Sequence, residues 1–143
     1  MSKTLVNKLI ERPLITLQES ETVTDAIKKL VKHNIGAMPV INEDKELTGI
    51  LSERDIVKNL VKKQYNNFSD SFTKEIMTSP VIFCSREIYS DKLMELMTQN
   101  KIRHIPIVEN KKPIGIVSIG DVVNRLLEKS KFENQMLKEY LSS

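Results

Sequence analysis

Apolar and polar positions along this chain fall into blocks whose order repeats. Val23, Ala26, Ile27, Leu30 and Val31 are spaced three and four apart, which predicts an amphipathic helix over residues 22–33. Leu93, Met94, Leu96 and Met97 predict a second such helix over residues 90–100. Leu14, Ile15, Thr16 and Leu17 follow Pro13, and Val81, Ile82, Phe83 and Cys84 follow Pro80. Each run reads as a first strand. Ala37, Met38, Pro39, Val40 and Ile41 form a second apolar run, matched by His104, Ile105, Pro106, Ile107 and Val108. Polar turns follow over residues 42–45 and 109–112, then apolar strands led by Gly49 and Gly115, then helices opening at Ser52 and Ser118.

The order is therefore β-α-β-β-α, twice, and the two copies superpose residue by residue. Pro13 falls on Pro80, Ile35 on Ile102 and Pro39 on Pro106 at an offset of 67. After the turn the offset becomes 66, pairing Gly49 with Gly115, Ser52 with Ser118 and Asp55 with Asp121. One unit alone would expose a face of its sheet, so the pattern predicts an α+β fold with two units packed about a pseudo-twofold axis. The expected division is a first repeat over 7–60, a linker over 61–75, a second repeat over 76–127 and a helical tail over 128–143. Tyr65, Phe68 and Phe72 are candidate anchors for the linker. Apolar residues from Val122 to Leu141 suit a helix that runs past the second repeat and offers a stripe to another surface.

Composition sharpens this picture modestly. The 143 residues are 40% hydrophobic and carry 22 Lys and Arg against 19 Asp and Glu, for a net charge of +3. The charges alternate in sign, which argues against a nucleic-acid footprint. Cys84 is the single cysteine and His33 and His104 the two histidines, so neither a disulfide framework nor a Cys- or His-based metal site is expected. No run reaches the roughly 18 apolar residues of a membrane span, and the N-terminus lacks the marks of a signal peptide. The expectation is a cytoplasmic protein without a membrane contact.

The chemistry concentrates in Gly49-Ile50-Leu51-Ser52-Glu53-Arg54-Asp55 and its counterpart Gly115-Ile116-Val117-Ser118-Ile119-Gly120-Asp121. A hydroxyl and a carboxylate three apart at a strand-to-helix turn make a helix cap. The same carboxylate can accept both hydrogen bonds of a ribose cis-diol, while the positive helix end favours a phosphate. Both readings stand on the residues alone. Arg103 and His104, just before Ile105-Pro106, are the second candidate, a planar fork and a titratable donor suited to phosphate or a surface pair of no function. Arg54 by itself reads as a solvated helix residue. His33 reads as a partner of its helix C-terminus, Cys84 as a small apolar residue and the methionines as core fillers. No nucleophile–base pair, P-loop or catalytic carboxylate pair is present, so no enzyme is expected.

Two β-α-β-β-α repeats, each with Gly-h-h-Ser-x-x-Asp (h apolar, x any residue), together with Arg103-His104-Ile105-Pro106, resemble a tandem pair of CBS domains of the stand-alone bacterial type. The resemblance covers residues 7–127. It implies a regulatory module that binds AMP, ADP or ATP between its repeats, with no obligatory cofactor, and reports energy state to a partner protein. A sensor of NAD(H) or S-adenosylmethionine, or a ligand-free scaffold, is the alternative. Carried over, Ser118 and Asp121 share one cleft with Thr16, Ile35, Gly36, Ala37 and Met38. Ser52, Arg54 and Asp55 share the other with Phe83, Arg103, His104 and Ile105. Phe83 stands where the family often carries a hydroxyl, as at Thr16. The resemblance also implies a homodimer, with the tail after Leu126 as one contact.

Overall fold

Both repeats fold in the expected order. The computed structural model describes residues 4–64 and 67–142. Helix α1 (Leu5–Leu9) precedes β1 (Leu17–Gln18), α2 (Val23–His33), β2 (Ala37–Ile41), β3 (Leu47–Ser52) and α3 (Glu53–Lys62). A single 3₁₀ turn (Phe68–Asp70) and α4 (Thr73–Ile76) lead to α5 (Ser90–Asn100), β4 (His104–Glu109), β5 (Lys112–Ser118) and α6 (Ile119–Ser142).

The periodic stretches form helices with the signals the sequence carries. Thr22 and Asp25 exchange side-chain and backbone hydrogen bonds at the start of α2, and Asn34 ends it at a left-handed φ of 51°. His33 is exposed in the last turn of that helix. In the first sheet β1 runs parallel to β2, with Leu17 opposite Val40, and β2 antiparallel to β3, with Met38 opposite Leu51. In the second sheet β4 pairs antiparallel with β5, with Ile105 opposite Val117.

The first strands are shorter than the sequence predicts. β1 spans Leu17–Gln18, and in the second repeat only Cys84 bridges to Ile107. Two hydrogen bonds of 2.9 Å make that bridge, from the Cys84 amide to the Pro106 carbonyl and from the Val108 amide to the Cys84 carbonyl. The apolar residues ahead of these positions serve other surfaces: Leu14 and Ile15 line a cleft, while Ile82 and Phe83 are exposed.

Each repeat completes its core with a segment that precedes the other. Val6 and Leu9 of α1 pack with Leu93, Met97, Ile105, Ile107, Val117 and Val122 of the second repeat. Phe68 and Ile76 pack with Leu17, Val23, Leu30, Met38, Val40 and Leu51 of the first. Burying one such side chain is worth about 1.5–3 kcal/mol, so the exchanged segments tie the repeats together. The motif glycines make room for them. A Cβ on Gly49 would stand 2.8 Å from the Cγ of Met77, and one on Gly115 would stand 3.2 Å from the Cγ2 of Ile10.

Of the expected linker anchors, Phe68 is buried, Phe72 is exposed and Tyr65 lies outside the described residues. The stretch is held instead by backbone: the Thr73 amide donates to the Glu21 carbonyl at 2.7 Å, and the Val23 amide to the Ser71 carbonyl at 2.9 Å. Cys84 is buried and its thiol is pushed up to about 12 by that burial, so it behaves as an apolar residue. Met38 and Met97 fill core positions, but Met136 is exposed on the distal part of α6.

Helix α6 runs for 24 residues. Val122 is buried against the second repeat and Leu126 packs beside it, whereas Leu127, Phe132, Met136, Leu137, Tyr140 and Leu141 are all exposed. Among the described residues, no helix is long and apolar enough to cross a membrane.

Candidate functional site

Each Ser-x-x-Asp motif forms a capping box at a helix N-terminus and faces a cleft at the junction of the repeats. At the first motif the Ser52 amide donates to Asp55 Oδ2 at 2.9 Å, and the Asp55 amide donates to Ser52 Oγ at 3.3 Å. At the second the Ser118 amide donates to Asp121 Oδ2 at 2.9 Å, and the Asp121 amide to Ser118 Oγ at 3.1 Å. The capping reading of the motif therefore holds in both copies. Backbone bonds set these helix ends against the other strand of the unit: the Glu53 amide donates to the Gly36 carbonyl at 3.0 Å, and the Ile119 amide to the Arg103 carbonyl at 2.8 Å.

One cleft, of about 310 Å³, brings Ser118 and Asp121 together with Ile35, Gly36 and Ala37. Arg12, Leu14, Ile15 and Ile116 complete its walls. The other, also about 310 Å³, brings Ser52, Arg54 and Asp55 together with Arg103 and His104, and adds Thr78, Lys101 and Ile102. Gly36 and His104 line both clefts and so form the partition between them.

The two carboxylates have further partners that differ in kind. Thr78 Oγ1 donates to Asp55 Oδ1 at 2.9 Å. Arg12 instead grips Asp121 with both ends of its fork, Nη2 to Oδ2 at 3.0 Å and Nη1 to Oδ1 at 3.3 Å. Burial pushes the Asp121 carboxyl up, but the Ser118 amide and the Arg12 guanidinium together outweigh it and hold it below the usual carboxylate range. Burial also lowers His104; Glu53 and Asp121 pull it back up, Arg103 pushes it down, and the result lies below its ordinary value. No ion pair among the described residues engages Arg54, Lys101 or Arg103.

Four of the expected site residues sit elsewhere. Met38 and Ile105 are fully buried in the two cores, because successive strand residues face opposite ways and Ala37 and His104 take the cleft side. Thr16 is not a lining residue; its carbonyl accepts a bond from Lys29 Nζ at 2.9 Å. Phe83 lines a separate open depression of about 480 Å³ with Pro80, Val81 and Leu47. The sequence reading missed Arg12, Thr78 and Lys101. Arg12 lies one residue ahead of Pro13 and Thr78 two ahead of Pro80, so the matched prolines marked both segments without making the two residues equivalent. Among the described residues, no group of three His, Cys, Asp or Glu is placed to hold a metal ion.

Comparison with known proteins bears on both the fold and the clefts. The CBS domain family matches twice, over residues 6–62 and 74–128. The mitochondrial CBS domain-containing protein CBSX3 of Arabidopsis thaliana is 38% identical over 125 residues, which are 85% of this chain and 60% of that protein. An uncharacterized protein of Methanopyrus kandleri is 34% identical over 124 residues, 86% of this chain and 63% of its own length. The chain thus spans about three fifths of these curated relatives. Among solved structures, a CBS-domain protein of Agrobacterium tumefaciens has a TM-score of 0.74 at 36% identity, covering 79% of this chain and 84% of that one. The CBS domain pair of protein MJ0100 has a TM-score of 0.74 at 29% identity, covering 90% and 99%. That pair was crystallised in complex with 5′-methylthioadenosine and S-adenosyl-L-methionine.

Proposed function

The chain belongs to the CBS domain family, and from that premise we propose that it is a regulatory module binding an adenosine ligand between its repeats. The observation that carries this reading is the second cleft. There the Asp55 carboxylate, fixed at the start of α3, shares a space of about 310 Å³ with Arg54, Lys101 and Arg103, none of them ion-paired among the described residues. A ribose diol is matched by the carboxylate, and a phosphate by the helix N-terminus and the free cations. This supports AMP, ADP or ATP as the ligand, bound through Ser52, Arg54, Asp55, Arg103 and His104. The equivalent residues of the first cleft are Ser118, Asp121, Ile35, Gly36 and Ala37. Ligand entry shifts the packing of the repeats and is read as energy state by a partner protein.

Beyond Val122 and Leu126, which pack against the second repeat, α6 leaves Leu127, Phe132, Met136, Leu137, Tyr140 and Leu141 exposed, which supports a homodimer paired through that helix. A cytoplasmic location fits such a module.

The complex of MJ0100 favours a second reading, in which S-adenosylmethionine or a related nucleoside is the signal. Thermal-shift and calorimetric titration with AMP, ADP, ATP, NADH and S-adenosylmethionine separates the two. The reading expects a rise in melting temperature with an adenine nucleotide. It is abandoned if no compound in the panel moves the protein.

A further inference from the structure

We propose that Arg12 is a latch on the first cleft: it holds the Asp121 carboxylate in the free protein and exchanges it for the anionic group of the ligand. The exchange sets the preference of that cleft for phosphorylated over uncharged nucleosides. This rests on the adenosine reading above and gives it a selectivity residue outside both motifs.

The latch is a product of the exchanged segments. Helix α1 packs on the core of the second repeat, and Arg12, three residues past its end, is thereby set beside the second motif. Its guanidinium bonds both oxygens of Asp121, at 3.0 and 3.3 Å, and the Ile116 carbonyl at 3.3 Å. Asp121 Oδ2 already accepts the Ser118 amide. A ribose diol that is to be held by this carboxylate needs acceptor sites that the fork now occupies, so Arg12 must turn away.

The obstacle at the second cleft is made of uncharged hydroxyls, and Ser52 Oγ donates to Asp55 Oδ2 at 3.1 Å. Thr78 stands on Asp55 Oδ1 where Arg12 stands on Asp121, and a hydroxyl can rotate to donate or accept without leaving a charge unpaired. Arg12 can leave only if its charge is met again. Its side chain is 52% exposed, so opening the pair is cheap, at most about fivefold in an equilibrium constant. A phosphate meets the released fork in a bidentate geometry; an uncharged nucleoside does not. Among the described residues lining this cleft, Arg12 is the only Arg or Lys, whereas the second cleft has Arg54, Lys101 and Arg103.

The test compares AMP with adenosine by titration calorimetry on a protein carrying R54Q, K101Q and R103Q, in which all three cations of the second cleft are removed, with and without R12Q. The expected result is a loss of about tenfold in the preference for AMP on R12Q, with adenosine binding up to about fivefold tighter. R12K is expected to lie between them, since it keeps the charge and loses the fork. A ligand-free arm follows Asp121 by NMR titration, where R12Q is expected to raise its pKa. Unchanged selectivity in a protein that still binds AMP overturns the latch and leaves the adenosine reading intact. An Asp121 that does not move on R12Q also overturns it. If the wild type itself binds neither ligand, the adenosine reading fails and the latch with it; if the wild type binds AMP and none of the variants does, the first cleft takes no ligand and the latch alone is overturned.

Discussion

Gly36 abuts His104 across the junction of the repeats: a methyl group at position 36 would stand 3.4 Å from both Cε1 and Nε2 of the imidazole. Both residues line both clefts, so a side chain added at position 36 would intrude on each. G36A adds only an ordinary van der Waals contact and is expected to bind ligand as the wild type does. G36V places two further methyl groups in the same space and is expected to weaken binding in both clefts together by about tenfold or more. Calorimetry on the two variants checks this. Equal affinities for G36V and wild type would show that the partition is not limiting.

Gly49 is expected to tolerate even a methyl group badly. The added Cβ would meet the Met77 side chain at 2.8 Å from Cγ, inside any real contact distance. G49A should lose about 1–3 kcal/mol of stability, a fall of several degrees in Tm, with partial recovery in G49A combined with M77A. Chemical denaturation of the single and double variants measures the coupling. G115A, whose nearest neighbours are at 3.1 and 3.2 Å, should lose less.

Asp55 serves as a cap and, in the reading proposed above, as a ribose ligand. D55A is expected to lose about 1 kcal/mol of unliganded stability through the cap, and also to lose the response of the second cleft to AMP. D55A combined with D121A is expected to abolish the thermal shift altogether. A residue that only capped its helix would lose the stability and keep the shift.

His104 has its imidazole pKa lowered, chiefly by burial, so the folded state binds its proton less readily than the unfolded chain. The stability this contributes is fully present above the unfolded value of about 6.5 and is lost as pH falls from there through the folded value. Urea denaturation is therefore expected to show a decline below about pH 6.5 that H104Q flattens. Asp121, also lowered, acts in the same direction from the ordinary carboxylate value of 3.8 downward.

The distal half of α6 is expected to pair with a second copy of the chain through Leu137 and Leu141. L137D combined with L141D should shift sedimentation from dimer to monomer while the near-ultraviolet spectrum of the body is retained. A monomeric wild type would remove the proposed homodimer.

Features governed by short-range physics were legible in the sequence. The helices over residues 22–33 and 90–100 follow from apolar spacing. The capping boxes of Ser52 with Asp55 and Ser118 with Asp121 link residues three apart, so they were readable from the motif. The repeat showed that the two units are equivalent.

It did not show which faces of Met38 and Ile105 lie inward, because an apolar run carries no alternation from which to tell one face from the other. Nor could it place Arg12 against Asp121, 109 positions away. That contact exists because α1 buries Val6 and Leu9 in the repeat that follows it at a distance, while α4 does the reverse. Which hydrophobic faces meet is a property of the packed molecule. Tertiary structure therefore decided how two nearly equal motifs came to hold their carboxylates differently, one by a hydroxyl and one by a guanidinium.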